Sequence, residues 1–368
     1  MGKSQRRVVL KVGSSSLVDH RGELDLQRVA WIAGEAAALW ERGAAPLIVS
    51  SGAVAAGRTL LRIEGNAVSL AVRQAAAAVG QSLLVQAYAD ALRKKGIAAA
   101  QALLSRGDFD HRKRYVHLRN TLELLLNHRV IPIVNENDTV DVEELRFGDN
   151  DLLAALCAQA IDAQLLVLFT DVDGLYDRPP QHPEAQRIAR VSSLENLSVH
   201  VESHSRFGTG GMASKLRAAA LATSSGIETR ILKAGVAGLL ARSLAGEPVG
   251  TVIEAQPSML NARKRWVAYA SKAHGSVWID DGAALALQSG KSLLLAGVRQ
   301  ARGTFRPGDV IQVVTAERAI AKGMTNYASD ELAVLLLEDR PATSLPEVIH
   351  RDNLVLLSST AEGGLQEA

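Results

Sequence analysis

Short aliphatic runs alternate with stretches of helical periodicity from residue 8 to about residue 235. The runs VVLKVG, PLIVSSGA, IAAAQALL, VIPIVNEND, QLLVLFTD and ETRILKAG are typical of buried strands. Segments between them, such as LQRVAWIAGEAAALWERG and DLLAALCAQAIDA, have the spacing of helices. Aliphatic strands that alternate with helices of this length form parallel sheets covered by helices. The sequence therefore predicts an α/β fold, a mostly parallel sheet sandwiched by helices.

Polar residues follow four of these strands at the point where each strand ends. Their sequences are GS (13–14), SG (51–52), NEND (135–138) and TD (170–171). Because ligands of such sheets bind beyond the carboxyl ends of the strands, we expect the four groups to meet at one edge.

The pattern changes after the segment VGTVIEAQ, and it divides the chain. Residues 1–255 form the predicted α/β domain, and residues 256–274 form a mixed polar linker with the basic cluster Arg263, Lys264 and Arg265. Short strands punctuated by turns predict a small β-rich domain over 275–361, and residues 362–368 are a tail.

Composition excludes several classes of protein. The length of 368 residues suits two domains, and the net charge of +2 is too small for a whole-protein role on nucleic acid or membranes. The single cysteine, Cys157, excludes a disulfide framework and fits a reducing compartment. No apolar run reaches the roughly 18 residues of a membrane span, and the start MGKSQRRVVLKVG lacks the long apolar run of a signal peptide. A soluble cytoplasmic protein is expected.

The stretch FGTGGMASK (207–215) has the features of a phosphate cradle at a helix N-terminus. Glycines let backbone N–H groups approach phosphate, and the positive end of the helix dipole favours an anion. The order differs from a P-loop, since Lys215 follows Ser214 and has no hydroxyl residue behind it. We interpret Ser214 and Lys215 as members of the first helical turn. The alternative is a flexible loop followed by a surface lysine.

Lys11 stands inside the strand VVLKVG, where a charge is costly unless it is paired. At the carboxyl end of the strand, it would supply a point charge for phosphate. The alternative is a strand lysine whose ammonium group reaches out to solvent.

The segments NENDTV (135–140) and GDND (148–151) place amides and carboxylates near the same edge. Either segment alone is explained by the preference of Asn and Asp for turns and caps. Together they suit a substrate that carries an ammonium group and a carboxylate. No metal ligands are predicted, because the histidine pair in HVESH (200–204) lacks a zinc motif and is interpreted as a solvated loop.

Together these segments carry a resemblance to a known family. The motifs VVLKVGSSSL, IVSSGAVAAGR, RQAAAAVGQ, IPIVNENDTV, FGDNDLLAALCA, LFTDVDGLYD and GTGGMASKLRAA resemble those of the glutamate 5-kinases, which have the amino acid kinase fold. NARKRWVAY, IDDGA and IHRDNLVL are similar to the C-terminal PUA domain of that family. The resemblance covers essentially the whole chain in order. It departs after YASDEL, where AVLLLEDRPATSLPEV replaces the family's usual residues and leaves the task of the PUA domain open.

The resemblance implies roles for individual residues. Lys11 and Lys215 would bracket the transferring phosphoryl group, and Asp151 would organise them. The implied glutamate-binding residues are Ser51, Asn135, Asp138 and Asn150. The implied ATP-binding residues are Lys11, Thr170, Asp171, Thr209, Gly210, Gly211, Met212, Ala213, Ser214 and Lys215.

The implied reaction uses ATP and Mg²⁺ to phosphorylate the side-chain carboxylate of L-glutamate, the first step of proline biosynthesis. The resemblance further implies feedback inhibition by proline, a homo-oligomer and glutamyl-phosphate reductase as a partner that takes the product.

Two alternatives stay open from the sequence. A sister kinase of the same fold would act on acetylglutamate, aspartate or a nucleotide instead of glutamate. A protein of another class would bind RNA through its PUA domain. Residues 256–368 contain 12 Lys and Arg against 12 Asp and Glu, which gives no basic footprint for RNA.

Overall fold

The computed structural model describes residues 5–63, 69–140, 150–194, 197, 211–257, 262–337 and 345–357. The chain forms two compact units. The first contains Met1–Asp108 and Val116–Ser258, and the second contains Phe109–Tyr115 and Met259–Ala368. No helix within the described ranges is both long and apolar enough to cross a membrane.

An eight-stranded sheet forms the centre of the first unit, with the order β3-β4-β2-β1-β5-β9-β10-β8. The first six strands in this order, from β3 at the edge to β9, are parallel to one another. β10 is antiparallel to β9, and β8 is parallel to β10. A separate antiparallel pair, β6-β7, completes the strands of this unit. The bounds are β1 Arg6–Val12, β2 Ala44–Ser50, β3 Ala98–Leu104, β4 Val130–Glu136, β5 Leu165–Thr170, β6 Leu175–Tyr176, β7 Arg187–Ile188, β8 Arg190–Val191, β9 Glu228–Lys233 and β10 Thr251–Ile253.

The helices lie between the strands in the predicted alternation. Asp25 caps α1 by accepting hydrogen bonds from the backbone N–H groups of Gln27 and Arg28, and Ser69 caps α3 by accepting one from Val72. The bounds are α1 Leu26–Glu41, α2 Ala53–Leu60, α3 Leu70–Arg93, α4 Arg106–Asp110, α5 Arg112–Asn127, α6 Asn150–Ala160, α7 Met212–Ser224 and α8 Leu239–Leu244.

Burial of the central strands explains why their sequences are continuously apolar. Every residue of β2 and β5 is buried, as expected when helices cover both faces of a parallel sheet. Cys157 is buried in α6 as a free thiol. The predicted fold class is confirmed for this unit.

Helices α2 and α3 cross with their backbones in direct contact, through two glycines. A Cβ atom added to Gly57 would lie 1.8 Å from the carbonyl oxygen of Ala76, and one added to Gly80 would lie 1.8 Å from that of Ala53. Both distances are far below van der Waals contact, so only glycine fits at either position. The crossing fixes α3 beside the end of β2, where α2 begins.

The second unit is built on a five-stranded sheet with the order β12-β11-β13-β14-β15. Its core includes Val277, Phe305, Val313 and Ile349. The predicted small β-rich domain is confirmed. The bounds are α9 Ala262–Arg265, β11 Gly275–Ile279, α10 Asp281–Gln288, β12 Val298–Gly303, β13 Val310–Val314, β14 Ala319–Met324, α11 Ser329–Leu337 and β15 Leu354–Leu356.

The stretch predicted as a linker contains helical structure. A π-helical turn, Trp266–Ala270, follows α9, and Trp266 is buried with its indole Nε1 donating to the carbonyl oxygen of Phe109 at 2.7 Å. The backbone N–H of Lys272 donates to Asp110 Oδ1 at 2.8 Å. These two bonds hold the segment 109–115 within the second unit. No periodicity in the sequence predicts this long-range pairing.

Candidate active site

Polar side chains from three segments meet at the carboxyl edge of the large sheet. Asn150 Nδ2 donates to Ser51 Oγ at 2.8 Å and to Asn135 Oδ1 at 2.9 Å. Ser51 directly follows β2, Asn135 lies near the end of β4, and Asn150 begins α6. Parallel pairing of the strands brings their ends together, so Ser51, Asn135 and Asn150 form one group, the Ser51 cluster. Asp138 follows β4 in a turn at this edge and is partly exposed.

Asp151 lies at the centre of a buried ion network. Its Oδ1 forms an ion pair with Lys11 Nζ, and its Oδ2 lies 3.1 Å from Lys215 Nζ. The hydroxyl of Ser214 donates to Oδ2 at 3.0 Å. Asp151 is fully buried, and the exposed fractions of Lys11 and Lys215 are 3% and 6%. Neither the solvent-reaching strand lysine nor the surface lysine considered above is compatible with this burial.

Three elements supply this network. Lys11 lies on β1, between Val49 of β2 and Leu168 of β5 in the strand register. Asp151 is in the first turn of α6, and Lys215 is in the first turn of α7. A carboxylate is favourable at a helix N-terminus, because the free backbone N–H groups and the helix dipole are positive there.

Two ammonium groups meet at one buried carboxylate. Burial by itself would raise the pKa of Asp151, but the ammonium groups of Lys11 and Lys215 hold that pKa below its usual range. Charges interact strongly in such a buried site, because its dielectric constant is low. The two ammonium groups are suited to contact an anion there.

The N-terminus of α7 adds backbone donors to this site. Gly211 is the N-cap residue and has no side chain to accept hydrogen bonds from the first N–H groups of α7, so those of Met212 and Ala213 are suited to an anion. Thr209 and Gly210, which also belong to the predicted ATP-binding stretch, lie outside the described residues.

Thr170 and Asp171 lie at the neighbouring strand end. The hydroxyl of Thr170 donates to Asp171 Oδ1 at 3.1 Å, and the carbonyl oxygen of Thr170 accepts from Ala234 at 2.7 Å. Thr170 is buried and Asp171 is exposed. This pair therefore lies where β5 and β9 end, at the same edge of the sheet. In the strand order, β1 separates these two strands from β2 and the Ser51 cluster.

Sequence reasoning missed Gln81, which contacts the Ser51 cluster from α3. Gln81 is buried, and its Oε1 accepts from Asn135 Nδ2 at 2.8 Å. Its Nε2 is buried and has no hydrogen-bond partner among the described residues, and the same holds for Asn150 Oδ1. The one sequence signal that could have identified Gln81 is its position, since it is a polar amide that directly follows the apolar stretch of QAAAAVGQ.

A second buried contact supports the end of β2. Ser50 Oγ and the hydroxyl of Tyr88 lie 2.9 Å apart, and both residues are fully buried. Burial raises the pKa of Tyr88, so this phenol stays protonated and serves as a structural hydrogen-bonding group.

The site can therefore hold two kinds of group side by side. The two ammonium groups and the α7 N-terminus suit phosphate oxygens. The amides of the Ser51 cluster and of Gln81, with the carboxylate of Asp138, suit a small zwitterion. Asn150 Oδ1 can accept from an ammonium group, and Gln81 Nε2 can donate to a carboxylate. Asp151 joins the two regions through its neighbour Asn150.

Comparison with known proteins gives consistent results along the chain. The amino acid kinase family model matches residues 6–233, and the PUA domain model matches residues 275–335. A glutamate 5-kinase of Geobacter metallireducens is 42% identical and covers 96% of this chain and 98% of its own. Those of Microcystis aeruginosa and of a Cyanothece species are 42% and 43% identical, over 96% and 95% of this chain and 97% and 99% of their own.

Among solved structures, an isopentenyl phosphate kinase matches 67% of this chain and 100% of its own length. Its TM-score is 0.47 and its sequence identity is 23%.

Proposed function

This chain belongs to the amino acid kinase family, and from that premise we propose that it transfers the γ-phosphoryl group of ATP to the side-chain carboxylate of L-glutamate. The products are ADP and L-glutamyl 5-phosphate, at the start of proline biosynthesis. The full-length similarity to glutamate 5-kinases supports the choice of acceptor. The observation that carries the chemistry is the buried network of Lys11, Asp151 and Lys215, because two ammonium groups at one carboxylate suit a transferring phosphoryl group.

The proposed reaction needs no general base. The attacking glutamate side chain is ionised near neutrality, since its reference pKa is about 4.3. The main obstacle is repulsion between this carboxylate and the phosphoryl oxygens. Catalysis then consists of in-line positioning and of cations placed where charge develops. We assign that task to Lys11 and Lys215, and we assign their orientation to Asp151.

The acceptor would bind in the Ser51 cluster. We propose that Asp138 and Asn150 Oδ1 face the ammonium group of glutamate, and that Ser51 and Gln81 Nε2 face its α-carboxylate. Asn135 would hold Gln81 and Asn150 in place through the two hydrogen bonds described above.

The nucleotide would bind at the α7 N-terminus, with Thr170 and Asp171 at the adjoining strand edge. Mg²⁺ usually keeps several waters and is held by phosphate oxygens with one or two carboxylates. Within the described ranges, the one group of three side chains able to hold a metal ion lies in the second unit. We propose that Mg²⁺ arrives with ATP, held by the phosphate oxygens, and shields phosphate charge.

The function is tested by supplying purified protein with ATP and Mg²⁺, with glutamate present or withheld, and measuring ADP release. Hydroxylamine in the assay would trap an acyl phosphate as a hydroxamate and so identify a carboxyl acceptor. We expect glutamate-dependent ADP and hydroxamate in equal amounts. Aspartate, N-acetylglutamate and nucleoside monophosphates are run beside glutamate, and higher kcat/KM with any of them would overturn the proposed acceptor.

Gln81→Glu is expected to raise the KM for glutamate at least tenfold with a much smaller change in kcat. The new carboxylate can still accept from Asn135, but it loses the Nε2 donor and places a negative charge opposite the α-carboxylate. A hydrogen bond to a charged group contributes about 1.5–3 kcal/mol, which corresponds to tenfold or more. Steady-state kinetics with glutamate varied at saturating ATP measures the effect.

Gln86→Glu is the matched control, since Gln86 lies on the same helix but is exposed and donates to Asp90. Its KM should stay close to that of the parent protein. Equal KM values for Gln81→Glu and the parent would remove Gln81 from the acceptor site.

Several further properties remain proposals. These are feedback inhibition by proline, a homo-oligomeric state, delivery of the product to glutamyl-phosphate reductase and a cytoplasmic location. RNA binding by the PUA domain has no support from charge, since basic and acidic residues balance in this part of the chain.

A further inference from the structure

We propose that His111, His274 and Asp309 form a binding site for a divalent transition-metal ion, with Zn²⁺ as the best fit. One ligand atom from each residue lies within 4.8 Å of the other two. All three residues belong to the second unit, whereas the network around Asp151 belongs to the first. Their spacing in the sequence matches no metal-binding motif, which is why the sequence predicted no metal.

Backbone hydrogen bonds hold the three residues near one another. The N–H of His274 donates to the carbonyl oxygen of Val310 at 2.9 Å, which sets His274 next to Asp309. The bond from Lys272 N–H to Asp110 Oδ1 sets His111 beside the same segment. The two imidazole rings lie roughly parallel, with centroids 5.8 Å apart.

The donor atoms are suited to a borderline cation. Imidazole nitrogen with a carboxylate is a common ligand set for zinc, and three protein ligands leave a position for water. His274 Nε2 is buried and has no hydrogen-bond partner in the described part of the chain. Asp309 Oδ2 accepts from the backbone N–H of Arg306 at 2.8 Å, which orients the carboxylate and leaves Oδ1 for the ion.

Binding requires a small closure of the cluster. Zinc–ligand bonds of about 2.0–2.1 Å place tetrahedral ligands roughly 3.4 Å apart, so the separations of up to 4.8 Å must shrink. His111 is exposed and can adjust its side chain, while His274 and Asp309 are fixed by their hydrogen bonds. Arg112 and Lys113 follow His111 in the chain and oppose a cation, so the binding should depend on the direct ligands.

A bound ion would fasten the segment 109–115 to the rest of the second unit. The Trp266 and Lys272 hydrogen bonds already hold that segment there, and metal ligation would add a further attachment. Because only the folded unit brings the three ligands together, binding should raise its thermal stability by mass action.

The test is calorimetric titration of the full chain with Zn²⁺ after chelator treatment, without nucleotide, together with X-ray absorption at the zinc edge. We expect one site per chain with imidazole and oxygen ligands, and a raised Tm. His111→Ala and Asp309→Asn should each weaken binding at least tenfold. His117→Ala is the matched control, because His117 is an exposed histidine six residues after His111 in the sequence and is outside the cluster.

Asp309→Asn retains an acceptor for the Arg306 N–H, so its fold should survive, and circular dichroism checks this. Unchanged zinc affinity in both His111→Ala and Asp309→Asn would overturn the site. So would an equal loss in His117→Ala, or an absorption spectrum without imidazole ligands.

Discussion

Lys215→Ala is expected to lower kcat by about 100- to 1,000-fold while changing the KM for glutamate far less, and Lys11→Ala should behave in the same way. Both ammonium groups are nearly inaccessible to solvent and pair with the same carboxylate, and we propose that they flank the transferring phosphoryl group. A cation that acts mainly on the transition state contributes to kcat and little to substrate binding. Removing either lysine also leaves Asp151 paired with the other, so the fold should be retained.

Steady-state kinetics with each substrate varied in turn measures this effect. Arg217→Ala is the control, since Arg217 lies on the same helix as Lys215 but is exposed. It should keep nearly full kcat. A large rise in KM with unchanged kcat in the lysine variants would mean that these residues bind substrate without assisting the transfer.

Asp151→Asn is expected to lower the free energy of unfolding by about 3–5 kcal/mol and to abolish most activity. The change removes the buried carboxylate that pairs with both ammonium groups and so weakens the compensation of two buried positive charges. Urea unfolding followed by circular dichroism measures the stability. Asp162→Asn provides the same chemical change at a partly exposed ion pair with Arg119, where the cost should stay within about 1 kcal/mol.

The loss of unfolding free energy in Asp151→Asn should depend on pH in one direction. The pKa of Asp151 is lowered in the folded protein, so its ionised form stabilises the fold above the unfolded value of about 3.9. That stabilisation is lost as pH falls through the folded value. The difference in the free energy of unfolding between Asp151→Asn and the parent protein should therefore be constant around neutrality and become smaller only in acid. Similar stability of the two proteins at pH 7 would contradict a buried network held together by this carboxylate.

Local signals in the sequence were sufficient for six strands of the large sheet and for two of the charged residues. These strands have aliphatic runs such as PLIV, because burial on both faces of a parallel sheet requires continuous aliphatic sequence. The short strands β6, β7, β8 and β10 were not predicted. Lys11 stood out because an unpaired charge in such a run is costly. Lys215 stood out because glycines before it and a helix after it are a local pattern. In each case, the physical reason for the structure and the sequence pattern that predicts it lie within the same few residues.

The remaining features depend on long-range contacts and left no local pattern. In the sequence, Gln81 does not differ from other glutamines in a helix. Only the crossing of α2 and α3 brings it to Asn135. Trp266 fell in a stretch that was predicted as a polar linker, yet it is buried against Phe109. His111, His274 and Asp309 lie far apart in sequence and meet only through the fold of the second unit. Spacing rules cannot find groups of this kind.

The glycine contact between α2 and α3 limits how the proposed acceptor site can adapt. Ser51 comes just before α2, and Gln81 comes directly after Gly80 on α3, so two of the proposed acceptor residues are attached to helices whose backbones are in direct contact. Because the two backbones touch at Gly57 and Gly80, α2 and α3 cannot move closer together, and main-chain atoms set the spacing of Ser51 and Gln81. In the proposed function, this fixed spacing would favour acceptors of one size.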